Sequence, residues 1–273
     1  LVVFPHAKIN LGLHVTGRRD DGYHNIETVF YPIPLSDVLE AIEDVSSSGK
    51  INLTVTGNES LSANDNLCVK AYELLNKDFK LPSVKVHLHK IIPTGAGLGG
   101  GSADAVFMLK LLNKLFELKL SNDVLKKYAL QIGSDCPFFV EGKPVYATGR
   151  GEEMEDIKLS LKDYFICIVK PQVSVSTAEA YKMVKPQKPP VALLSVIQQL
   201  LEKWKDLLTN DFEEPVFKKY PVIESVRKKL YETGAVFALM SGSGSAVYGI
   251  FDRKVNLEGA FDDSFYISVS KLF

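Results

Sequence analysis

The residues most able to do chemistry form a glycine-rich stretch, Pro93-Thr94-Gly95-Ala96-Gly97-Leu98-Gly99-Gly100-Gly101-Ser102-Ala103. A strand pattern precedes it and a helical pattern follows. That arrangement binds phosphate: glycine lets backbone N–H groups come close to an anion, and the start of a helix adds partial positive charge. Gly95, Gly97 and Gly100 satisfy G-x-G-x-x-G. A dinucleotide-binding unit, however, also needs a second strand ending in an acid about 20 residues on. Here the chain passes into another helix through Lys119–Ser121. No lysine follows the glycines as G-K-[ST] requires, so the stretch is not a P-loop. In a merely flexible loop, five glycines between two well-formed elements would cost conformational entropy for no purpose.

Other candidates are read against plainer alternatives. Lys8 and Asn10 share the polar face of an otherwise apolar strand, a face that could simply be solvated. Asp135, in Ile132-Gly133-Ser134-Asp135-Cys136-Pro137-Phe138-Phe139, lies between a helix end and an apolar stretch. It is either a helix-terminal cap or a buried carboxylate that needs a cation, for which Lys8 is an attractive partner. Ser241-Gly242-Ser243-Gly244-Ser245 is either a hairpin turn or a second loop offering donors to an anion. Tyr23-His24 follows the turn Asp20-Asp21-Gly22, where such a pair is ordinarily surface decoration. His87-x-His89 could chelate from a strand but has no third ligand in the sequence, so no metal site is expected. No G-x-S-x-G elbow is present to start a hydrolase triad.

The elements that must position these residues follow from periodicity. Ala7, Ile9, Leu11, Leu13 and Val15 alternate along a first strand, and Ile26–Ile33 reads as a second. Ile51–Thr56 and Val84–Lys90 are further strands, with helical spacing over Asn66–Asn76 between them. A long amphipathic helix is expected from near Ala103, and another over Asn122–Ile132 with Ser121 as its N-cap. Tyr164–Val169 is a strand, and Ser176-x-x-Glu179 reads as a capping box. Val191–Leu208 reads as one longer helix, and Pro221 opens a helix that Gly234 closes. Val236–Met240 and Ala246–Phe251 pair around the Ser-Gly loop. The class is α+β, and a composition change near Gly149–Lys158 predicts two domains, 1–155 and 156–273.

Composition narrows the function. Of 273 residues, 46% are hydrophobic, enough for a real core and against disorder. With 32 Lys+Arg against 33 Asp+Glu, the chain lacks the basic surplus that nucleic acid demands. No apolar run approaches the ~20 residues that span a bilayer, so no membrane partner is expected. Leu1–Pro5 lacks the basic flank and cleavage pattern of a signal peptide. Three cysteines, odd in number and without a C-x-x-C pair, fit a reducing cytoplasm, the expected location.

Taken in order, Ala7-Lys8-Ile9-Asn10-Leu11, Gly22-Tyr23-His24, the Pro93–Ala103 loop, the Asp135 segment and Met240–Ser245 resemble the GHMP kinase superfamily. These kinases phosphorylate small-molecule alcohols with ATP. The closest resemblance is to a branch of the non-mevalonate isoprenoid pathway whose substrate is a cytidine diphosphate-linked methylerythritol. The resemblance implies a ribosomal-protein-S5-like N-terminal domain and a ferredoxin-like C-terminal domain, with the active site between them. It also implies ATP and Mg²⁺ as cofactors, Asp135 as catalytic base and Lys8 as its partner. By the same resemblance Pro93, Thr94, Gly95, Ala96, Gly97, Leu98, Gly99, Gly100, Gly101, Ser102 and Ala103 hold the ATP phosphates, with Asn64 near the adenine. Tyr23 and His24 take the cytosine, Tyr181 faces its other side, and Asn10 and Thr177 reach the same ligand. Whether the chain is a monomer or a homodimer stays open. The family usually has a longer helix than Asp252–Ser264 can supply, so the final layer is expected to be trimmed. A homoserine, mevalonate or sugar kinase, and a non-catalytic sensor on the same fold, are the alternatives. A nicotinamide-dependent oxidoreductase ranks well behind them.

Overall fold

The computed structural model describes residues 1–45, 50–57 and 66–273. Its strands are β1 (Val2–Val3), β2 (His6–Arg18), β3 (His24–Ser36), β4 (Val38–Glu43), β5 (Ile51–Thr56), β6 (Val84–His89), β7 (Val145–Thr148), β8 (Glu153–Asp156), β9 (Phe165–Lys170), β10 (Phe237–Met240), β11 (Val247–Phe251) and β12 (Tyr266–Lys271). Its helices are α1 (Leu67–Phe79), α2 (Gly100–Leu115), α3 (Asn122–Ile132), α4 (Phe138–Glu141), α5 (Thr177–Met183), α6 (Leu193–Ile197), α7 (Leu201–Leu207), α8 (Glu213–Lys219) and α9 (Pro221–Glu232). The class is α+β, as expected.

The chain forms two compact units that interleave in sequence. The first comprises Leu1–Ala7, Leu35–Ile92 and Gly99–Gly142; the second comprises Lys8–Pro34, Pro93–Leu98 and Lys143–Phe273. Positions 155 and 156 lie in the second unit, within β8.

The first unit holds a sheet of order β1-β4-β6-β5, antiparallel except for the parallel β5–β6 pair. Strand β6 alternates cleanly: Val84, Val86 and Leu88 are buried while Lys85, His87 and His89 are exposed. Helices α1, α2 and α3 pack on one another. Asn66 caps α1, its side chain accepting from Cys68 N at 2.9 Å, and Ser121 caps α3 as expected. Helix α2 starts at Gly100, earlier than the apolar stripe predicts, because glycines carry no stripe to read.

The second unit holds sheets of order β2-β3-β7-β8 and β10-β11-β9-β12. Its core packs Cys167 and Val169 of β9 with Val216 of α8 and Ile223, Val226 and Leu230 of α9. Each such aliphatic side chain contributes about 1.5–3 kcal/mol on burial. Pro221 opens α9, and Gly234, at φ +97, follows its end. The expected helix over Val191–Leu208 is in fact two, α6 and α7, with Leu200 extended between them at ψ 143. Both pieces bury apolar side chains at helical spacing, so periodicity alone hides the break. At the capping box expected from Ser176 and Glu179, the Ser176 hydroxyl makes no cap bond. Between β11 and β12 the chain makes only turns, in line with the trimmed segment, and β12 pairs antiparallel with β9.

Candidate active site

In the second unit, the polar face of β2 is not solvated. Lys8 is 4% exposed and Asn10 is 1% exposed. Lys8 Nζ donates to Asn10 Oδ1 at 2.6 Å and to Gly97 O at 2.9 Å, and lies 5.2 Å from the centre of the Phe30 ring. A buried ammonium is tolerated only with such acceptors around it. Asn10 Nδ2 donates to Thr28 Oγ1, whose hydroxyl donates to Gly12 O, so the amide is held in one orientation. Tyr248 OH donates to Asn10 O at 2.9 Å.

The first half of the glycine stretch is laced to the Ser-Gly loop. Ser241 Oγ donates to Gly97 O at 2.9 Å, and Ala246 N donates to Ala96 O at 3.2 Å. Gly97 has φ +74, and a Cβ there would stand 1.9 Å from Ser241 O. No other residue type fits that approach. The Ser241–Ser245 segment is therefore more than a plain hairpin turn. Its shape depends on residues that sequence reasoning missed. Asn210 Nδ2 donates to both Met240 O and Gly242 O at 2.8 Å, and Glu213 Oε1 accepts from Met240 N. Burial pushes the Glu213 carboxyl up to about 7 although Arg227 opposes it. Neither residue sits in a recognisable motif; only long-range pairing with the loop reveals them. Thr177, the first residue of α5, hydrogen-bonds Ser243 through its hydroxyl at 3.1 Å.

The aromatic candidates lie in the same unit. His24 stacks on Tyr181 with ring centres 4.9 Å apart and planes 20° from parallel. Tyr181 in turn meets Phe212 edge-on. Burial, with help from Arg18, lowers the pKa of His24 and favours the neutral imidazole. Tyr23 is 56% exposed, and its ring lies 4.9 Å from the Arg150 guanidinium. Asp21 accepts from Tyr23 N at 3.0 Å and fixes the turn.

The first unit supplies the rest. Gly99, at φ +73, is the N-cap of α2 and has no side chain to cap it. The N–H groups of the first helical turn therefore have no intrahelical acceptor and are available to an anion, with the helix dipole in support. A Cβ at Gly100 would meet Ile92 Cγ2 at 2.9 Å, whereas one at Gly101 would meet nothing nearer than Leu67 Cδ1 at 3.6 Å. Asp135 sits in the turn that joins α3 to α4. Its neighbour Cys136 is buried, and burial pushes its thiol up to about 11.

The two units thus divide the expected residues. Lys8, Asn10, Tyr23, His24, Pro93–Leu98, Thr177 and Tyr181 belong to the second, and Gly99–Ala103 and Asp135 to the first. Asn64 lies outside the described residues. His87 and His89 both hydrogen-bond Thr56 Oγ1 at 2.9 Å on an exposed surface. No group of three His, Cys, Asp or Glu among the described residues is arranged to hold a metal ion.

Comparison with known proteins gives the family. Residues 66–143 match the GHMP kinases N terminal domain, and residues 193–263 match GHMP kinases C terminal. A 4-diphosphocytidyl-2-C-methyl-D-erythritol kinase of Bacteroides fragilis is 50% identical over 267 residues, 96% of this chain and 97% of the relative. The chain belongs to the 4-diphosphocytidyl-2-C-methyl-D-erythritol kinase family. A crystal structure of a 4-(cytidine 5'-diphospho)-2C-methyl-D-erythritol kinase superposes with a TM-score of 0.77 at 32% identity, covering 92% of this chain and 90% of that one. A mevalonate kinase structure, 18% identical, superposes with a TM-score of 0.74 over 100% of this chain and 99% of that one; it shares the fold.

Proposed function

We propose that this chain transfers a phosphoryl group from ATP to the 2-hydroxyl of 4-diphosphocytidyl-2-C-methyl-D-erythritol, a step of the non-mevalonate route to isoprenoid precursors. The observation that carries the reading is the uncapped start of α2, set on a run of glycines. Phosphoryl transfer needs little covalent help from the protein; positioning and charge stabilisation dominate. Pro93–Ala103 would cradle the triphosphate through backbone N–H groups, with Ser102 beside it and Asn64 toward the adenine.

Asp135 is the proposed general base. It takes the proton of the substrate hydroxyl as the new O–P bond forms and the bond from the γ-phosphorus to ADP breaks. Lys8 is its proposed partner and stabilises negative charge at the reacting oxygens. Asn10 and Thr177 would orient the diphosphate or the erythritol hydroxyls. Tyr23 would stack on the cytosine, His24 hydrogen-bond its edge and Tyr181 face its other side. The lowered pKa of His24 supports this, because a neutral imidazole can both donate to and accept from a neutral base. Mg²⁺, when bound, neutralises triphosphate charge. It characteristically takes one or two protein ligands plus phosphate oxygens and water, so the glycine-lined helix start and the Ser102 hydroxyl are a compatible setting.

The division into 1–155 and 156–273 is part of the proposal, supported by family matches that fall on either side of it. So is a cytoplasmic location, supported by three free, buried cysteines. No helix among the described residues is long and apolar enough to cross a membrane.

The test is a substrate panel with ATP and Mg²⁺, following ADP release with the cytidyl-linked methylerythritol, free methylerythritol phosphate, homoserine and mevalonate. Turnover is expected with the first alone. Comparable turnover with homoserine or mevalonate would reassign the substrate, and no turnover with any would leave a ligand sensor.

A further inference from the structure

A buried ionic cluster lies in the first unit, apart from every residue used above. Asp37, Lys90 and Asp104 are 0%, 6% and 3% exposed. Lys90 Nζ bonds Asp37 Oδ2 and, at 2.6 Å, Asp104 Oδ2. Asp37 Oδ1 accepts from the backbone N–H groups of Ile91 and Ile92, at 2.5 and 2.8 Å. Those two residues follow β6 and lead directly into the glycine stretch. Asp104 belongs to the start of α2, where the glycine stretch ends. A Cβ added to Gly100 would come within 2.9 Å of Ile92 Cγ2 and 3.4 Å of Lys90 Nζ, so the ammonium lies just beneath the first residue of that helix.

We propose that Asp37, Lys90 and Asp104 are positioning residues for the phosphate-binding start of α2, clamping the chain that enters the glycine stretch to the helix that leaves it. Burying three charged side chains is a poor way to gain stability, since desolvation offsets most of their attraction. What the cluster does provide is a fixed register between two backbone segments. Five intervening glycines would otherwise leave that register loose. The clamp rests on the reading of the glycine stretch as the ATP site.

The cluster's charge is unbalanced, with two carboxylates around one ammonium. Asp104 Oδ1 has no hydrogen-bond partner among the described residues. Burial pushes the Asp104 carboxyl up to about 8; Lys90 opposes the shift and Asp37 adds to it. Lys90 is itself held above its ordinary value, because the two carboxylates outweigh its burial. A further titratable neighbour, Cys68 of α1, is raised by burial and by Asp104 and stays a neutral thiol. Near neutrality Asp104 therefore keeps its proton. At higher pH it ionises and places a negative charge at the helix start that must attract phosphate.

The experiment measures binding of a non-hydrolysable ATP analogue to the full chain by calorimetry, with KM for both substrates and a folding check by circular dichroism. Folded Lys90→Met should bind the analogue about tenfold more weakly and keep KM for the cytidyl substrate within about twofold. A structural defect would weaken both alike. If Lys90→Met does not fold, Asp104→Asn decides. Wild-type affinity for the analogue should fall between about pH 7 and pH 9, and that fall should vanish in Asp104→Asn, which cannot ionise. Unchanged nucleotide affinity in folded Lys90→Met, equal loss for both substrates, or superimposable pH profiles of wild type and Asp104→Asn would each overturn the clamp. Wild type that binds no analogue would instead overturn the reading of the ATP site itself.

Discussion

Gly97 and Gly101 belong to one glycine stretch and are glycines for different reasons. At Gly97 the protein leaves no room: a Cβ would sit 1.9 Å from Ser241 O, and φ is +74. The carbonyl of Gly97 is also the acceptor shared by Lys8 and Ser241. At Gly101 the backbone is ordinary helix and the nearest atom to a Cβ is 3.6 Å away, at normal contact distance. The fold itself thus demands the first glycine and does not demand the second. Packing gives no reason for glycine at position 101, where a methyl would make ordinary contact with Leu67.

The largest effect should come from the demanded glycine. Gly97→Ala must move the Ser241 carbonyl and hold alanine at positive φ, which together should cost at least about 3 kcal/mol. The variant should melt far below wild type or fail to fold. A melting temperature within a few degrees of wild type would show that the Ser-Gly loop gives way easily and that the two glycines are alike after all.

Asp135→Asn comes next and tests the open end, which lies in the same unit as Asp135. Removal of a general base lowers turnover by about 10²–10⁴. Affinity for the ATP analogue should stay close to wild type, because the N–H groups of α2 are untouched. Near-normal turnover would remove Asp135 from the reaction.

How much of this was legible in the sequence depended on range. Strand alternation in β2 and β6, the cap at Ser121, and Pro221 at the start of α9 are local and could be read directly. The strand-loop-helix form of the glycine stretch was also legible, and a run of ordered motifs pointed to the family. The burial of Lys8 and Asn10 was not, because period-two alternation assigns one face of a strand to solvent unless something else covers it. Asn210 and Glu213 hold a loop that starts about thirty residues later, and nothing in their neighbours announces it. The cluster of Asp37, Lys90 and Asp104 spans still more chain, with Lys90 standing 53 positions after Asp37. Side-chain pairing over such distances leaves no periodic trace. The break between α6 and α7 escaped for the opposite reason, since the apolar stripe continues through it.

Gly101→Ala should have the smallest effect and the most telling one, because stability and binding should move in opposite directions. Alanine is favoured over glycine in a helix by about 1 kcal/mol, somewhat less in a first turn. With no clash to oppose that gain, the variant should melt slightly above wild type. The added methyl nevertheless stands beside the uncapped N–H groups that a phosphate must approach closely. Affinity for the ATP analogue should therefore fall by about tenfold, equivalent to roughly 1.4 kcal/mol. KM for the cytidyl substrate should change little. A variant that is more stable and binds nucleotide as well as wild type would mean that the space in front of Gly101 is not where the phosphates lie. The distinction between the two glycines would then rest on packing alone.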